Sequence, residues 1–485
     1  MAGEPAVLSR YRGIIPDFAT FLATSSAPLP TCVWANTLRL TPAELARKLE
    51  SIGFVVTPVP WYRRAFRLAG PGSPGLTVEF LAGAYHVQEE VSLLPVALLD
   101  PRPGERVLDL CAAPGNKTAQ AAVHMDNRGT VVANDPSVRR LGALQYNLHR
   151  LGVACSATVA SGGGNLPLVA GGFDRVLVDA PCSCEGTTRK HPHVLRSTRP
   201  PPYPRLAATQ RALLTRALQL CRVGGRVVYS TCTYAPEENE GVVDAVLRAL
   251  PPGSVRMLPV RVPGLVTREG MQQWGDRRFL PEVVLAARIY PHDNDTGGFF
   301  VAVLEKVDEV GAAAQEAAAN PAEVPLAQWR GGVERFGIPA EEVARRFVVF
   351  RANARTLALA SRELCLPPRP RPESVGLPFV ETAGAVPRLT TPAALLLGGA
   401  ARDNVIELEA AQVDAFLARR PFPLGAAPAA GLEGRGYVLA RYGGLTLGTG
   451  TLRPDAGGEL VLHSAFPTAW AVKSGRSLFA VQRRE

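Results

Sequence analysis

Short apolar runs alternate with amphipathic stretches through the middle of the chain. Residues 106–110, 130–134, 173–179 ("FDRVLVD") and 226–230 are rich in Val and Leu and bounded by Gly, Pro or Asp. Runs of that length and composition read as buried strands. Between them, 118–124, 137–151, 206–221 (closed by Gly224-Gly225) and 237–250 carry apolar residues at helical spacing. Residues 157–160 add a short strand and 298–305 ("GFFVAVLE") a late one. Repeated strand, loop and helix predict an α/β fold with a doubly wound, largely parallel sheet. Ligands of such sheets lie beyond the carboxyl ends of the strands.

The flanks follow other patterns. "TPAELARKLESIGF" (41–54) has a Thr N-cap, helical periodicity and Gly53 as a stop. Extended runs at 31–40 and 55–60 enclose it, which predicts a small α+β domain over 1–84. Residues 307–325 are rich in Ala and Glu with no apolar stripe, and predict a linker. In 326–485, "PAEEVARRFVVF" and "EAAQVDAFLARR" read as helices. "GRGYVLARYGGLTLGTGTLRPDAGGELVLHSAF" reads as short strands with Gly turns, a β-rich module. There is no internal repeat.

The 485 residues are 47% hydrophobic, enough for large cores, and 46 Gly with 43 Pro imply many loops. A formal net charge of +10 favours an anionic partner, nucleic acid being the common one. The same excess also suits an ordinary Arg-rich enzyme. Eight cysteines without framework spacing argue against a secreted disulfide scaffold. The opening "MAGEPAVLSRYRG" lacks an apolar h-region, and no uncharged run reaches the length of a membrane span. A cytoplasmic protein, not attached to a membrane, is expected.

Three stretches carry chemistry. In "ERVLDLCAAPGNKTAQAA" (105–122) a strand ends in small residues and a helix follows. Such a loop lets a ligand approach the backbone and meet unpaired amides, or it is simply a tight turn. The next strand ends at Asp135, placed to accept hydrogen bonds from a ribose. In "DRVLVDAPCSCEGTTRKHP" (174–192), Asp179, Cys182 and Cys184 follow a strand end. A zinc reading of Cys182-x-Cys184 would need two more well-spaced ligands; His191 and His193 are near, but no metal site is expected. "GGRVVYSTCTYAPEENEGVV" (224–243) puts Cys232 where the neighbouring strand stops. Free cysteines are often inert core residues. Two at adjacent strand ends are candidates for a nucleophile, activated by Lys117, Arg189 or Lys190. Arg63, Arg64, Arg67, Arg277, Arg278 and Arg288 are candidate phosphate contacts, or solvated surface charge.

"DLCAAPGNKT", "DAPCSCEGTTRK" and "STCTYAPEENE" resemble motifs I, IV and VI of the Sun/Nop (RsmB/RsmF-type) RNA cytosine-5 methyltransferases. "VWANTLRL" (33–40), "YHVQEEVSLLPVALL" (85–99) and "RIYPHDNDTGGFFVAVLEK" (288–306) resemble its N-terminal segment, the Gln-Glu helix before motif I and its closing motif. The resemblance implies a Rossmann-like class I methyltransferase core over 85–306 and RNA-binding flanks. The C-terminal flank, 326–485, resembles the PUA-like extension of RsmF-type members. S-Adenosylmethionine is the implied cofactor. Cys111, Ala112, Ala113, Pro114, Gly115, Asn116 and Lys117 would line its methionine end, Asp135 its ribose, and Asp179 would lie between cofactor and base. Cys232 would be the nucleophile and Cys182 would assist product release.

The sequence departs from the family pattern at Asn116, where many members have Gly or Ser, and at Cys184, in place of a frequent Gly. "ASGGGN" (160–165) lacks the acid many members place near the adenine. The implied substrate is ribosomal RNA of the 16S type, with transfer RNA as the alternative and a non-catalytic RNA-binding assembly factor as a third reading. A monomer is expected.

Overall fold

The computed structural model describes residues 6–169, 171–196, 201–311, 320–384, 387–425, 429–430, 432 and 436–471. Part of the expected linker (312–319) and the end of the C-terminal region (472–485) lie outside the described residues. No helix of the described residues is long and apolar enough to cross a membrane.

The α/β expectation holds, with a mixed rather than wholly parallel sheet. Its strands are β5 (Arg106–Asp109), β6 (Thr130–Asn134), β7 (Ser156–Val159), β8 (Phe173–Asp179) and β9 (Cys221–Thr231), after four N-terminal strands described below. These five run parallel in the order β7-β6-β5-β8-β9. Strand Phe299–Lys306 then pairs antiparallel with β9. Side chains alternate between two cores. Val107, Val131, Leu177 and Val228 enter one, and Leu108, Val132, Val176 and Val227 the other. Burial on both faces is why these strands read as continuous apolar runs.

Helices α1 (Asn116–His124) and α2 (Val138–Leu151) cover the first face. α3 (Tyr203–Leu220) and α4 (Glu240–Ala249) cover the second. The Gly224-Gly225 pair does not end α3. The helix stops at Leu220, and both glycines lie inside β9, where the register against β8 shifts. Gly224 takes a φ of +74°, and a Cβ on Gly225 would lie 2.5 Å from Cys221 Sγ. Glycine makes such a bulge cheap.

The N-terminal sheet is antiparallel: β1 (Thr31–Ala35), β2 (Val55–Pro58), β3 (Ala65–Ala69) and β4 (Tyr85–Val87), in the order β2-β3-β1-β4. The expected helix at 85–99 therefore begins as a strand. Its helical part is a 3-10 turn, Glu90–Leu93, and a short helix, Leu94–Leu99. "FVVF" is likewise a strand, Phe347–Arg351, because its β-branched and aromatic residues pair with Thr356–Ser361.

The C-terminal region forms a four-stranded and a six-stranded sheet. Leu45, Leu49 and Phe66 of the N-terminal part share one core with Val413, Phe416 and Leu447. Strand Ser374–Val375 pairs with β7 and covers that edge of the central sheet.

Two buried acids make the fold sensitive to charge. Glu240 and Arg288, almost fully buried, form a two-pronged ion pair, with Arg288 Nε 2.6 Å from Oε1. Arg288 is thus no phosphate contact. Arg288→Leu strands a buried carboxylate, and urea unfolding should show a loss of about 3–5 kcal/mol. Asp109 ends β5, and its Oδ2 accepts from Thr118 Oγ1 at 2.7 Å. Burial pushes its pKa up to about 7. Below the ordinary carboxylate range it is protonated in folded and unfolded chains alike. As pH rises toward 7 the unfolded chain loses that proton first, so Asp109 erodes stability across this window. Asp109→Asn should therefore gain Tm relative to the wild type as pH rises from about 4 to about 7; a constant difference over that range would contradict this.

Candidate functional site

The site lies at the carboxyl ends of β5, β6, β8 and β9. The loop after β5 runs from Cys111 to Gly115. Ala112 N–H donates to Asn134 O at 2.8 Å, and Gly115 N–H to Ala112 O at 2.7 Å. Gly115 has a φ of +99°, and a Cβ there would lie 3.1 Å from Leu144 Cα, so α2 packs directly on the turn. α1 starts at Asn116 with first-turn amides that have no intrahelical acceptor. Asn116 Oδ1 is 3.0 Å from His86 Nε2.

Asp135, just beyond β6, accepts Ser137 N–H at 2.9 Å and lies 3.1 Å from Arg140 Nη1. Arg140 also donates to Ala113 O. Each Asp135 oxygen keeps an unused lone pair. This donor set fits S-adenosylmethionine: helix-terminal amides for its carboxylate and an acid for its ribose hydroxyls. Burial pushes the Cys111 thiol up, and the carboxylates of Asp109 and Asp179 add to this.

Asp179 and Lys117 form the polar centre. Lys117 Nζ lies 2.6 Å from Asp179 Oδ2 and donates to Ser92 Oγ at 2.9 Å, while Ser230 Oγ donates to Asp179 Oδ1 at 2.8 Å. Burial alone lowers the lysine pKa, but Asp179 outweighs it and keeps the ammonium charged.

Beside this pair lie the cysteines. β8 and β9 pair in register at Asp179 and Ser230, so the loops that leave them start side by side. Cys182 Sγ and Cys232 Sγ are 3.4 Å apart. Cys184 Sγ joins them, and the three sulfurs lie within 4.8 Å of one another. Cys184, protonated, donates to Cys182 O at 3.3 Å. Ionised, it accepts from both neighbouring thiols, which holds its pKa low. Cys182 is pushed well above the ordinary thiol range by its hydrogen bonds to Cys184 and Cys232, and by burial. Hydrogen bonding from Cys182 favours the Cys232 thiolate, but Cys184, burial and Asp179 together push it up.

Arg189 and Lys190 do not face these thiols. The Arg189 guanidinium is buried against Pro28 O, Thr296 O and Asp295, and Lys190 is exposed. Arg67 is tied to Glu90 and Asn294 O, and Arg277 to Asp244. Arg63 and Arg278 are exposed.

Several supports were not singled out in the sequence. Gly186 N–H donates to Cys232 O, and Gly298 N–H to Gly186 O, both at 2.8 Å. A Cβ on Gly186 would meet Gly298 O at 2.3 Å, so these glycines permit the close approach of three loops. Glu185 accepts from Tyr11, Tyr203 and Thr233, and Glu238 from Ser183 N–H and Gln210. The glycines in "CEG" and "TGGFF" were a usable signal. Tyr11, 174 residues from its partner, left none.

Residues 96–305 match the family model of the 16S rRNA methyltransferase RsmB/F, and 6–90 that of the N-terminal domain of 16S rRNA methyltransferase RsmF. The chain is 37% identical over 298 residues to a human 28S rRNA (cytosine(4447)-C(5))-methyltransferase, covering 60% of this chain and 36% of the relative. It is 37% identical over 316 residues to the ribosomal RNA small subunit methyltransferase F of Erwinia tasmaniensis, covering 63% and 64%. The chain thus spans between about a third and two thirds of the length of these curated relatives. A crystal structure of a methyltransferase homolog protein from Pyrococcus horikoshii superposes with a TM-score of 0.54. The two are 34% identical, and the match covers 61% of this chain and 93% of that one. With that coverage, the two matched family models and the central sheet, the chain belongs to the Sun/Nop family of RsmB/RsmF-type RNA cytosine-5 methyltransferases.

Proposed function

We propose that this protein is an S-adenosylmethionine-dependent RNA cytosine-5 methyltransferase that acts on ribosomal RNA of the 16S type in the cytoplasm. The observation that carries the reading is the 3.4 Å approach of Cys182 and Cys232 beside the Lys117–Asp179 pair. The rRNA substrates named for the human and bacterial relatives support the substrate class. The flanks, 1–84 and 326–485, are assigned to RNA binding, the latter as a PUA-like region. The eight free cysteines agree with a reducing compartment.

S-Adenosylmethionine, when bound, supplies a methyl group on a sulfonium. The chain's residues make carbon 5 of the base able to take it. That carbon is too weak a nucleophile in the free ring. The Cys232 thiolate adds to carbon 6; the new S–C bond pushes the ring electrons toward carbon 5. Asp179, held by Ser230 and Lys117, hydrogen-bonds the base edge, and the Lys117 ammonium beside it favours the negative charge that builds on the ring. After carbon 5 is methylated, a base, water from solvent serving, takes its proton. The returning electrons expel the Cys232 thiolate. Cys182, in contact with that sulfur, assists this release. The base must leave its stack to reach these groups.

Purified protein should transfer label from S-adenosylmethionine to cytosine carbon 5 in one of three substrates: total RNA, isolated ribosomal subunits or tRNA, with bisulfite sequencing to locate it. Cys232→Ala should abolish transfer. Cys182→Ala should leave a protein–RNA band on a denaturing gel. An active Cys232→Ala beside a dead Cys182→Ala would exchange the two roles. Lys117→Met frees Asp179 from its anchor and should lower kcat by about 10²–10³, the range for removing one electrostatic stabiliser.

A further inference from the structure

The proposed reaction uses two thiols, and the site holds three. Cys184 has a φ of +60° in the left-handed region. A glycine takes that conformation freely, whereas a residue with a Cβ is strained there by roughly 1–2 kcal/mol. Cys184 bears that strain with its sulfur turned toward Cys182 and Cys232.

We infer that Cys182, Cys184 and Cys232 form a binding site for one thiophilic d10 cation of the Zn²⁺ class. The inference rests on the proposed function only for its consequence, that an occupied site blocks the nucleophile. The geometry is close to what a metal needs. A Zn–S bond is about 2.3 Å, so two thiolates on a tetrahedral ion sit about 3.8 Å apart. The sulfurs here lie within 4.8 Å of one another, the closest pair at 3.4 Å. Small side-chain rotations bring all three onto one centre.

The chemistry of the donors agrees. Thiolates select soft or borderline cations over Mg²⁺ and Ca²⁺. Each thiol that ligates gives its proton to solvent, and three thiolates on a dication carry one net negative charge. All three residues are partly open to solvent, so an ion can enter, and three protein ligands leave the fourth position to water. Sequence spacing could not reveal this set, because Cys182-x-Cys184 lies 48 residues or more from Cys232. An ion held here occupies the Cys232 sulfur, so zinc binding and attack on cytosine exclude each other.

The test is zinc titration of the chelator-treated 485-residue chain in a non-thiol reductant, competed against a chromophoric chelator. Cd²⁺ serves as an ultraviolet probe of thiolate ligation. One equivalent should bind, and Cys184→Gly, which suits the left-handed backbone, should weaken binding at least about tenfold. Cys365→Ser should leave it unchanged. Absence of stoichiometric zinc, or equal binding by Cys184→Gly, overturns the inference. In the methylation assay zinc should inhibit wild type, reversibly with chelator, and spare Cys184→Gly; equal inhibition of both also overturns it. Should no RNA be methylated, the titration still decides the metal site, so the two readings fail separately.

Discussion

The parallel pairing of β8 with β9 is the constraint on which the site depends. From Arg175 and Arg226 onward the two strands advance together, and Asp179 ends opposite Ser230. Three residues past one and two past the other, Cys182 and Cys232 meet. A register slip of one residue would turn the alternate side chains to the wrong face. The register is held by burial on both sides, Val176 and Val178 in one core and Leu177 in the other. The same packing that stabilises the sheet therefore sets the sulfur–sulfur distance.

Around that pairing, charge is distributed with little freedom. The Lys117 ammonium is paired with the half-buried Asp179, while burial at the end of β5 pushes the Asp109 carboxyl up to about 7. Burial raises the pKa of Glu185 and Glu238; hydroxyls donate to both Glu185 oxygens, and Ser183 N–H and Gln210 donate to Oε2 of Glu238. These acids fix the loops and do not compete for the reaction. Among the three thiols, Cys184 is the one whose ionised form its neighbours favour, while Cys182 and Cys232 are pushed up.

The flanking parts are not appended as independent units. The N-terminal sheet shares a core with the six-stranded C-terminal sheet, and Tyr11, in a turn, and Phe21, in the helix Phe18–Ser25, pack with Tyr234 and Tyr290. Ser374–Val375 closes the β7 edge of the central sheet, which otherwise would present unpaired backbone groups. Residues 320–325, read from sequence as the end of a linker, dock through Val324 N–H on Val349 O. Asn320 also bonds Leu364 O and Leu366 N–H, and Glu323 pairs with Arg362, contacts that composition does not reveal.

The sequence by itself determined the alternation of strands and helices, the small-residue turn before Lys117 and the two strand ends that carry Asp179 and Cys232. These are local properties: periodicity, turn chemistry and the short reach between a strand and its loop. It also carried misreadings where local preference competes with partners elsewhere. "FVVF" continued a helical pattern until a neighbouring strand claimed it, and Gly224-Gly225 looked like a stop until β9 used the pair as a bulge. Arg288 and Arg189 looked like free positive charge, because their acceptors, Glu240 and the Pro28 and Thr296 carbonyls, are distant in sequence. Only the tertiary structure decided that the third thiol, Cys184, faces the other two. That contact spans 48 residues from Cys184 to Cys232 and depends on a left-handed turn at Cys184, which no spacing along the chain encodes.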